Sequence, residues 1–284
     1  MSPIEFSKFH GFGNDYIVVE KSEAAVASIS EFAKAICRRH TGAGADGVAI
    51  LSRLESGADY FCEIINPDGT IAGFSGNGTR CAVAYLYKNC LWSARDLKLE
   101  TKSGAKNYHL LRSSGEYHYT FEAEIGKPAF SATEIPFASA ESSDVIDRDV
   151  KLGDAMFTVS CVNVGNPVAC IFVDDFAIDW RSAGRSLETN ASFPERANIV
   201  FVKIIDRENI EIRIWERGAG ETSASGTCAS ASAVLSAYTG RTQRQVDVRM
   251  EGGVSTVVWR NDDEIVLTGS AEFVYSGEWP AVAA

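Results

Sequence analysis

Apolar positions along the chain fall mostly into short alternating runs separated by Gly/Ser turns, with a few stretches of helical spacing between them. Residues 7–20 end in the run DYIVV from Asp15, which predicts a strand, and residues 31–40 predict a helix with Phe32, Ala35 and Ile36 on one face. Residues 60–66 predict another strand and residues 79–87 a buried helix. Residues 97–102, 105–111 and 117–123 then read as antiparallel strands joined by tight turns. The second half replays this order. Strands are predicted over 197–205 and 211–215, a helix over 228–238, and further strands over 246–250, 254–259 and 264–267.

The replay reaches individual residues. The run from Ser75 (SGNGTRCAVA) aligns with the run from Ser225 (SGTCASASAV) at an offset of 150, and Asn66 and Glu216 each lie nine residues before their serine. In the next hairpin Lys102 pairs with Glu251 and Arg112 with Arg260, the offset slipping by a residue or two. Loop, helix and hairpin in one order predict two similar α+β halves related by a pseudo-two-fold axis. Gly126, Lys127 and Pro128 interrupt the strand pattern, so the halves are expected to span residues 1–128 and 129–284, the last strand being free to cross back to the first half.

Composition narrows the possibilities. At 284 residues the chain is long enough to bury a large core without staples. Twenty-seven basic against 38 acidic residues give a net charge of −11, the wrong sign for a nucleic-acid binder. No run approaches the roughly 18 apolar residues of a membrane span, and the N-terminal stretch lacks the pattern of a secretion signal. These features predict a soluble, cytoplasmic protein. The seven cysteines include no pair at metal-site spacing, and the four histidines form no HxxxH pattern. No metal site is expected, and most of the thiols read as buried and reduced.

Each half places a strand, a Ser-Gly loop and the start of an apolar helix in succession. The first N–H groups of a helix lack internal partners and carry partial positive charge, so each loop is suited to a small anion such as a carboxylate. A single loop of this kind is ordinary N-capping. A symmetric pair points to a ligand cleft.

The segments His10–Tyr16 (HGFGNDY), Thr41–Gly47 (TGAGADG), Asn66–Gly69 (NPDG), Ser75–Cys81 (SGNGTRC), Gly165–Pro167 (GNP), Phe193–Asn198 (FPERAN) and Glu216–Thr222 (ERGAGET) resemble the diaminopimelate epimerase family, in that family's order and over almost the whole chain. The resemblance implies an α+β fold of two pseudo-symmetric halves, each a sheet or barrel around a central helix, with the active site in the cleft between them. It implies an isomerase without pyridoxal phosphate, metal or other cofactor that converts LL- to meso-diaminopimelate, a lysine and peptidoglycan precursor. One thiol removes the α-proton and a second protonates the opposite face. The resemblance also suggests a homodimer. It assigns substrate binding to Asn14, Asn66, Asn166, Asn198 and Arg217, carboxylate cradles to the amides around Gly76, Asn77, Gly226 and Thr227, and an acidic role beside the second acid/base group to Glu216.

The sequence departs from the family at the chemistry. Both thiol positions are serines, Ser75 and Ser225. The family's Gly-Asn-Pro-His reads Gly165-Asn166-Pro167-Val168, and its Cys-Gly-Thr-Gly reads Ser225-Gly226-Thr227-Cys228. An alcohol is far less acidic than a thiol, and each pKa unit costs about 1.4 kcal/mol. A serine base is ordinarily activated by a neighbour. Cys228 reads either as a displaced acid/base thiol or as a core thiol. The repeat sets it opposite Gly78, with no thiol there, which favours the core. Three explanations stand: an isomerase working through Ser75 and Ser225 with Glu216 as helper, on diaminopimelate or on a substrate with a more acidic α-carbon; a homologue that binds an amino acid or small carboxylate without turning it over; and deliberate replacement of both thiols, against which Val168 and Cys228 speak.

Overall fold

The computed structural model describes residues 3–21, 28–115, 117–138 and 143–280. The chain forms two compact units, one from residues 1–123 with 269–284 and the other from residues 124–268. The first unit opens with strands β1 (Ile4–Gly11) and β2 (Asn14–Glu20), helix α1 (Ile29–Ile36), and strands β3 (Gly47–Arg53), β4 (Tyr60–Ile65) and β5 (Ile71–Ala72). Helix α2 (Gly76–Lys88) and strands β6 (Asp96–Glu100), β7 (Lys106–Ser114) and β8 (His118–Gly126) follow, β8 running on into the second unit. The second unit holds β9 (Arg148–Leu152), β10 (Ala155–Asn163), β11 (Pro167–Phe172), α3 (Trp180–Glu188), β12 (Asn198–Ile204), β13 (Asn209–Glu216) and β14 (Gly220–Thr222). It continues through α4 (Gly226–Tyr238), β15 (Gln245–Met250), β16 (Gly253–Trp259) and β17 (Ile265–Trp279), whose residues from Gly269 onward belong to the first unit.

The pairing pattern repeats strand for strand. In the first unit β1–β2 is antiparallel, β2–β3 parallel, β3–β4 antiparallel, β4–β6 parallel and β6–β7 antiparallel. In the second, β10–β11, β11–β12, β12–β13, β13–β15 and β15–β16 follow the same sequence of directions. The far end of β17 pairs antiparallel with β1, from Ile4 opposite Trp279 to His10 opposite Glu272, with a bulge after Lys8. The internal repeat read from the loops is therefore a repeat of whole sheets. Register makes the equivalences concrete. Tyr16 lies opposite Gly47 across β2–β3, as Val168 lies opposite Asn198 across β11–β12.

Each sheet wraps a helix. Ten consecutive residues of α2, Asn77 to Leu86, are buried, and so are ten of α4, Thr227 to Ser236. α2 packs on β1 to β4, and α4 on β10 to β13, β15 and β16. A helix buried on every face has no polar stripe to give it a direction. Both helices also begin earlier than their apolar runs suggest, at Gly76 and Gly226, because Ser75 and Ser225 cap them. α1 ends earlier than expected, at Ile36, where the chain turns so that Arg39 reaches Asp15 with both guanidinium nitrogens, at 2.6 and 2.8 Å. No helix among the described residues is long and apolar enough to cross a membrane.

The central helices carry the packing. Leu86→Ala on α2 and Leu235→Ala on α4, both fully buried, are each expected to lower the unfolding free energy by about 2–5 kcal/mol in urea titrations. Val254→Ala, at a half-exposed position, is expected to change it by less than about 0.5 kcal/mol.

Candidate active site

In the first unit the site is built on the start of α2. Ser75 caps the helix, its Oγ accepting from the Gly78 N–H at 3.1 Å, while Gly76 and Asn77 begin the first turn. Asn77 donates from Nδ2 to Asn14 Oδ1 at 3.1 Å, and Asn14 donates from its own Nδ2 to Asp46 at 2.8 Å. The buried Arg80 guanidinium donates to Asn77 Oδ1 and, at 2.8 Å, to the Ser270 carbonyl. The expected residues Asn14, Ser75, Gly76 and Asn77 are thus brought together and held by Asp46 and Arg80. Asn66 lies in the turn after β4 and donates to Thr70 Oγ1 at 3.0 Å.

In the second unit Ser225 caps α4 in the same way, but less tightly, with Cys228 N–H at 3.5 Å and Thr227 Oγ1 at 3.3 Å. The Glu216 carboxylate is its acidic neighbour, close enough for the Ser225 hydroxyl to favour the charged form. That carboxylate accepts from Thr222 Oγ1 at 2.7 Å, and burial raises its pKa above the usual glutamate value against the opposing effect of these two hydroxyls. The next residue, Arg217, gives its N–H to Asn198 Oδ1 at 2.8 Å and one guanidinium bond to the Glu195 carbonyl at 3.2 Å, and it pairs with no carboxylate among the described residues. Asn198 is almost fully buried with its Nδ2 unpartnered, and Asn166 Oδ1 is likewise unpartnered. Buried amide atoms without partners are rare in folded proteins, and together with the open guanidinium they suit a bound polar ligand.

Two residues at the site, Glu188 and Tyr16, have no site role that the sequence assigns, although Tyr16 closes the HGFGNDY motif. Glu188 on α3 accepts from Trp215 Nε1 and from the Gly218 N–H, both at 2.9 Å, and so fixes the turn that presents Glu216 and Arg217. Tyr16 on β2 places its hydroxyl 2.8 Å from Ser75 Oγ. The signal for Tyr16 lay in strand alternation, which puts it on the same face as Asn14. No comparable hint marked Glu188.

Cys81 and Cys228 are placed where burial opposes ionisation. Cys228 is fully buried, and burial with the neighbouring Glu216 charge holds its pKa far above the ordinary thiol range. Burial pushes Cys81 up to about 12. Cys228 instead fills space. Cys170 on β11 lies 3.6 Å from Ser232 on α4. Val168 shares the strand face of Cys170, and Cys228 lies one turn from Ser232 on the helix, so the same β11–α4 packing holds both buried side chains. The aromatic ring and glycine that the family pattern has at these positions are exchanged together for a smaller side chain and a larger one.

Solved structures that share this fold include a probable proline racemase from Agrobacterium radiobacter K84 with bound carbonate, at TM-score 0.73 and 15% identity over 98% of this chain and 93% of that one. A hydroxyproline epimerase from Agrobacterium vitis with bound trans-4-hydroxy-L-proline matches at TM-score 0.68 and 14% identity, over 98% and 91%. The fold is that of these two-unit α+β proteins. The sequence is more specific. The family described as diaminopimelate epimerase matches residues 6–128 and 160–274. A diaminopimelate epimerase from Caldanaerobacter subterraneus subsp. tengcongensis is 39% identical over 97% of this chain and 99% of its own length. One from Nostoc punctiforme is 36% identical over 97% and 99%. The chain belongs to the diaminopimelate epimerase family.

Two outcomes follow from the thiol placement. An aromatic disulfide reagent added to the native protein is expected to label Cys90, which is exposed, and to leave Cys81 and Cys228 untouched until denaturant is added. Val168→His and Cys228→Gly are each expected to destabilise the protein, the first by crowding and the second by opening a void. Made together they are expected to cost less than the sum, with a coupling of about 0.5–3 kcal/mol in a double-mutant cycle.

Proposed function

We propose that the chain is a cofactor-independent amino-acid isomerase that interconverts LL- and meso-diaminopimelate, with Ser75 and Ser225 as its two acid/base groups. The observation that carries this reading is the duplicated unit itself: a serine hydroxyl at the N-terminus of a helix with ten consecutive buried residues, once in each half of the repeat. Inversion of an α-carbon removes a proton from one face and returns one to the other, so it asks for two such groups of the same kind. One serine oxygen takes the α-proton, the C–H electron pair stays on carbon as a planar carbanion, and the other serine hydroxyl delivers a proton to the opposite face. The α-carboxylate is assigned to the helix-start amides of Gly76, Asn77, Gly226 and Thr227, where partial positive charge stabilises an anion. Arg217 suits the distal carboxylate because its fork can meet both oxygens. Asn14, Asn66, Asn166 and Asn198 supply amide donors and acceptors that tell the amine end from the carboxylate end. Glu216, the acidic neighbour of Ser225, serves as that serine's proton store. A cytoplasmic homodimer with no nucleic-acid partner belongs to the same reading.

A second reading has a specific observation in its favour. Position 168 carries valine and both acid/base positions carry alcohols, which fits a protein that binds its ligand without exchanging its proton. NMR of L,L-diaminopimelate incubated with the protein in D2O separates the two. The isomerase reading expects loss of the α-proton signal and abolition of that loss in Ser75→Ala and Ser225→Ala. Those variants also lose a helix cap worth about 1 kcal/mol, a cost too small to unfold a domain of this size. Saturable binding by calorimetry without exchange would establish a binding protein, and neither signal would reject diaminopimelate.

A further inference from the structure

We propose that Tyr16 is the proton partner of Ser75, a positioning residue that lets an alcohol do acid/base work at the first helix start. The inference rests on the reading of Ser75 as an acid/base group and adds what drives it. In the second unit Ser225 has the Glu216 carboxylate. The equivalent of Glu216 in the first unit is Asn66, which cannot exchange a proton and is bonded to Thr70 instead. The first serine finds its acidic neighbour on a different strand. Tyr16 Oη lies 2.8 Å from Ser75 Oγ, and Ser75 Oγ also accepts from the Gly78 N–H.

The first unit is shaped to admit this ring. A Cβ added at Gly47 would lie 2.7 Å from Tyr16 Cε1, and one added at Gly78 would lie 2.8 Å from the same atom and 2.9 Å from Ile64 Cδ1. Neither glycine has the positive φ that would call for glycine on backbone grounds. Room is what they provide. In the second unit the equivalent positions are Val168, Asn198 and Cys228, so where the ring is absent both glycines are absent too. A phenylalanine ring would fill the same slot. Only the hydroxyl reaches Ser75, and it does so from a nearly buried side chain.

The proton ledger balances. When Ser75 protonates the planar α-carbon, its O–H bond breaks and a C–H bond forms. Tyr16 passes its own proton to the serine oxygen, leaving tyrosinate. In the reverse direction tyrosinate takes the serine proton as the serine oxygen takes the α-proton, and the electron pair remains on carbon. The charge thus rests on a phenol, whose ordinary pKa is about 10, and never on a free alkoxide. The Glu216 side makes the complementary transfer, and exchange with water resets both.

The test is a double-mutant cycle on the full chain with L,L-diaminopimelate, following kcat, KM and α-proton exchange in D2O across pH. Tyr16→Phe keeps the ring between Gly47 and Gly78, and an unchanged thermal unfolding curve checks that the fold survives. In the parent background the variant is expected to lose about 100-fold or more in kcat, with KM within a few-fold, as for loss of a general acid/base partner. It is also expected to lose the alkaline limb of the pH profile. In a Ser75→Cys background the same change is expected to cost less than about 10-fold, because a thiol of pKa about 8.5 does not need the phenol. Equal losses in both backgrounds, or a loss confined to KM, would overturn the inference and leave Tyr16 as packing. A parent protein that exchanges no α-proton would instead sink the isomerase reading, and this inference with it.

Discussion

A helix buried along most of its length presents chemistry chiefly at its ends. α2 and α4 each bury ten residues in succession inside a wrapped sheet. The unpaired N–H groups at their first turns are therefore fixed in place and cannot move to meet a ligand. The capping serines inherit that rigidity. Ser75 is held by the Gly78 N–H and Ser225 by the Cys228 N–H, and the strands that wrap each helix bring up the side chains that touch the hydroxyl. Everything distinctive about the two half-sites follows from which residue each strand offers at that point.

The offers differ between units, although the scaffold repeats. The first uses β2, where Tyr16 reaches across the space left by Gly47 and Gly78. The second uses the end of β13, where Glu216 stands beside Ser225 under a desolvation that favours its protonated form. The position left vacant in each unit has been filled for packing or for turn geometry. Val168 and Cys228 close up the space where the first unit seats its ring, and Asn66 closes a turn onto Thr70. Cys228 is thus explained by volume. Its sulfur is fully buried, with desolvation and the Glu216 charge both opposing ionisation.

The duplicated loops, the helices behind them and the hairpins that follow were legible from the chain because each combines a turn signal with an apolar run. The same holds for β4 and β13, whose alternation is clean. The stretch from β9 to α3 was not. β10 is exposed along its first half and buried along its second, so no single alternation runs through it. α3 has Trp180, Ala183, Gly184 and Leu187 on one face, but its arginines and serines thin the apolar signal. Glu188, at the end of that helix, was invisible for the same reason. β17 reads as a short strand over 264–267 because its later residues leave the second unit's core and pair with β1. Non-local pairing of that kind has no local signature. Among the site residues, motif spacing located the serines and asparagines, whereas the Tyr16–Ser75 contact needed the register of β2 against β3 and the side chains absent at two glycines.

The cost of using alcohols in place of thiols depends on where the charge finally rests. If a serine oxygen had to carry it alone, the gap from a thiol would be many pKa units at about 1.4 kcal/mol each, more than a helix start supplies, since such termini contribute about 0.3–2 kcal/mol. With Tyr16 behind Ser75 the relevant comparison is between a phenol of pKa about 10 and a thiol of about 8.5, a difference worth about 2 kcal/mol. Behind Ser225 the acid is a carboxylic acid, and there burial works in the right direction by raising the pKa of Glu216 toward the working range. Two serines can then replace two thiols with modest loss, on the condition that each half-site contains a more acidic group within one hydrogen bond of its hydroxyl. The first half-site meets that condition through Tyr16 on β2, and the second places Glu216, at the end of β13, beside Ser225.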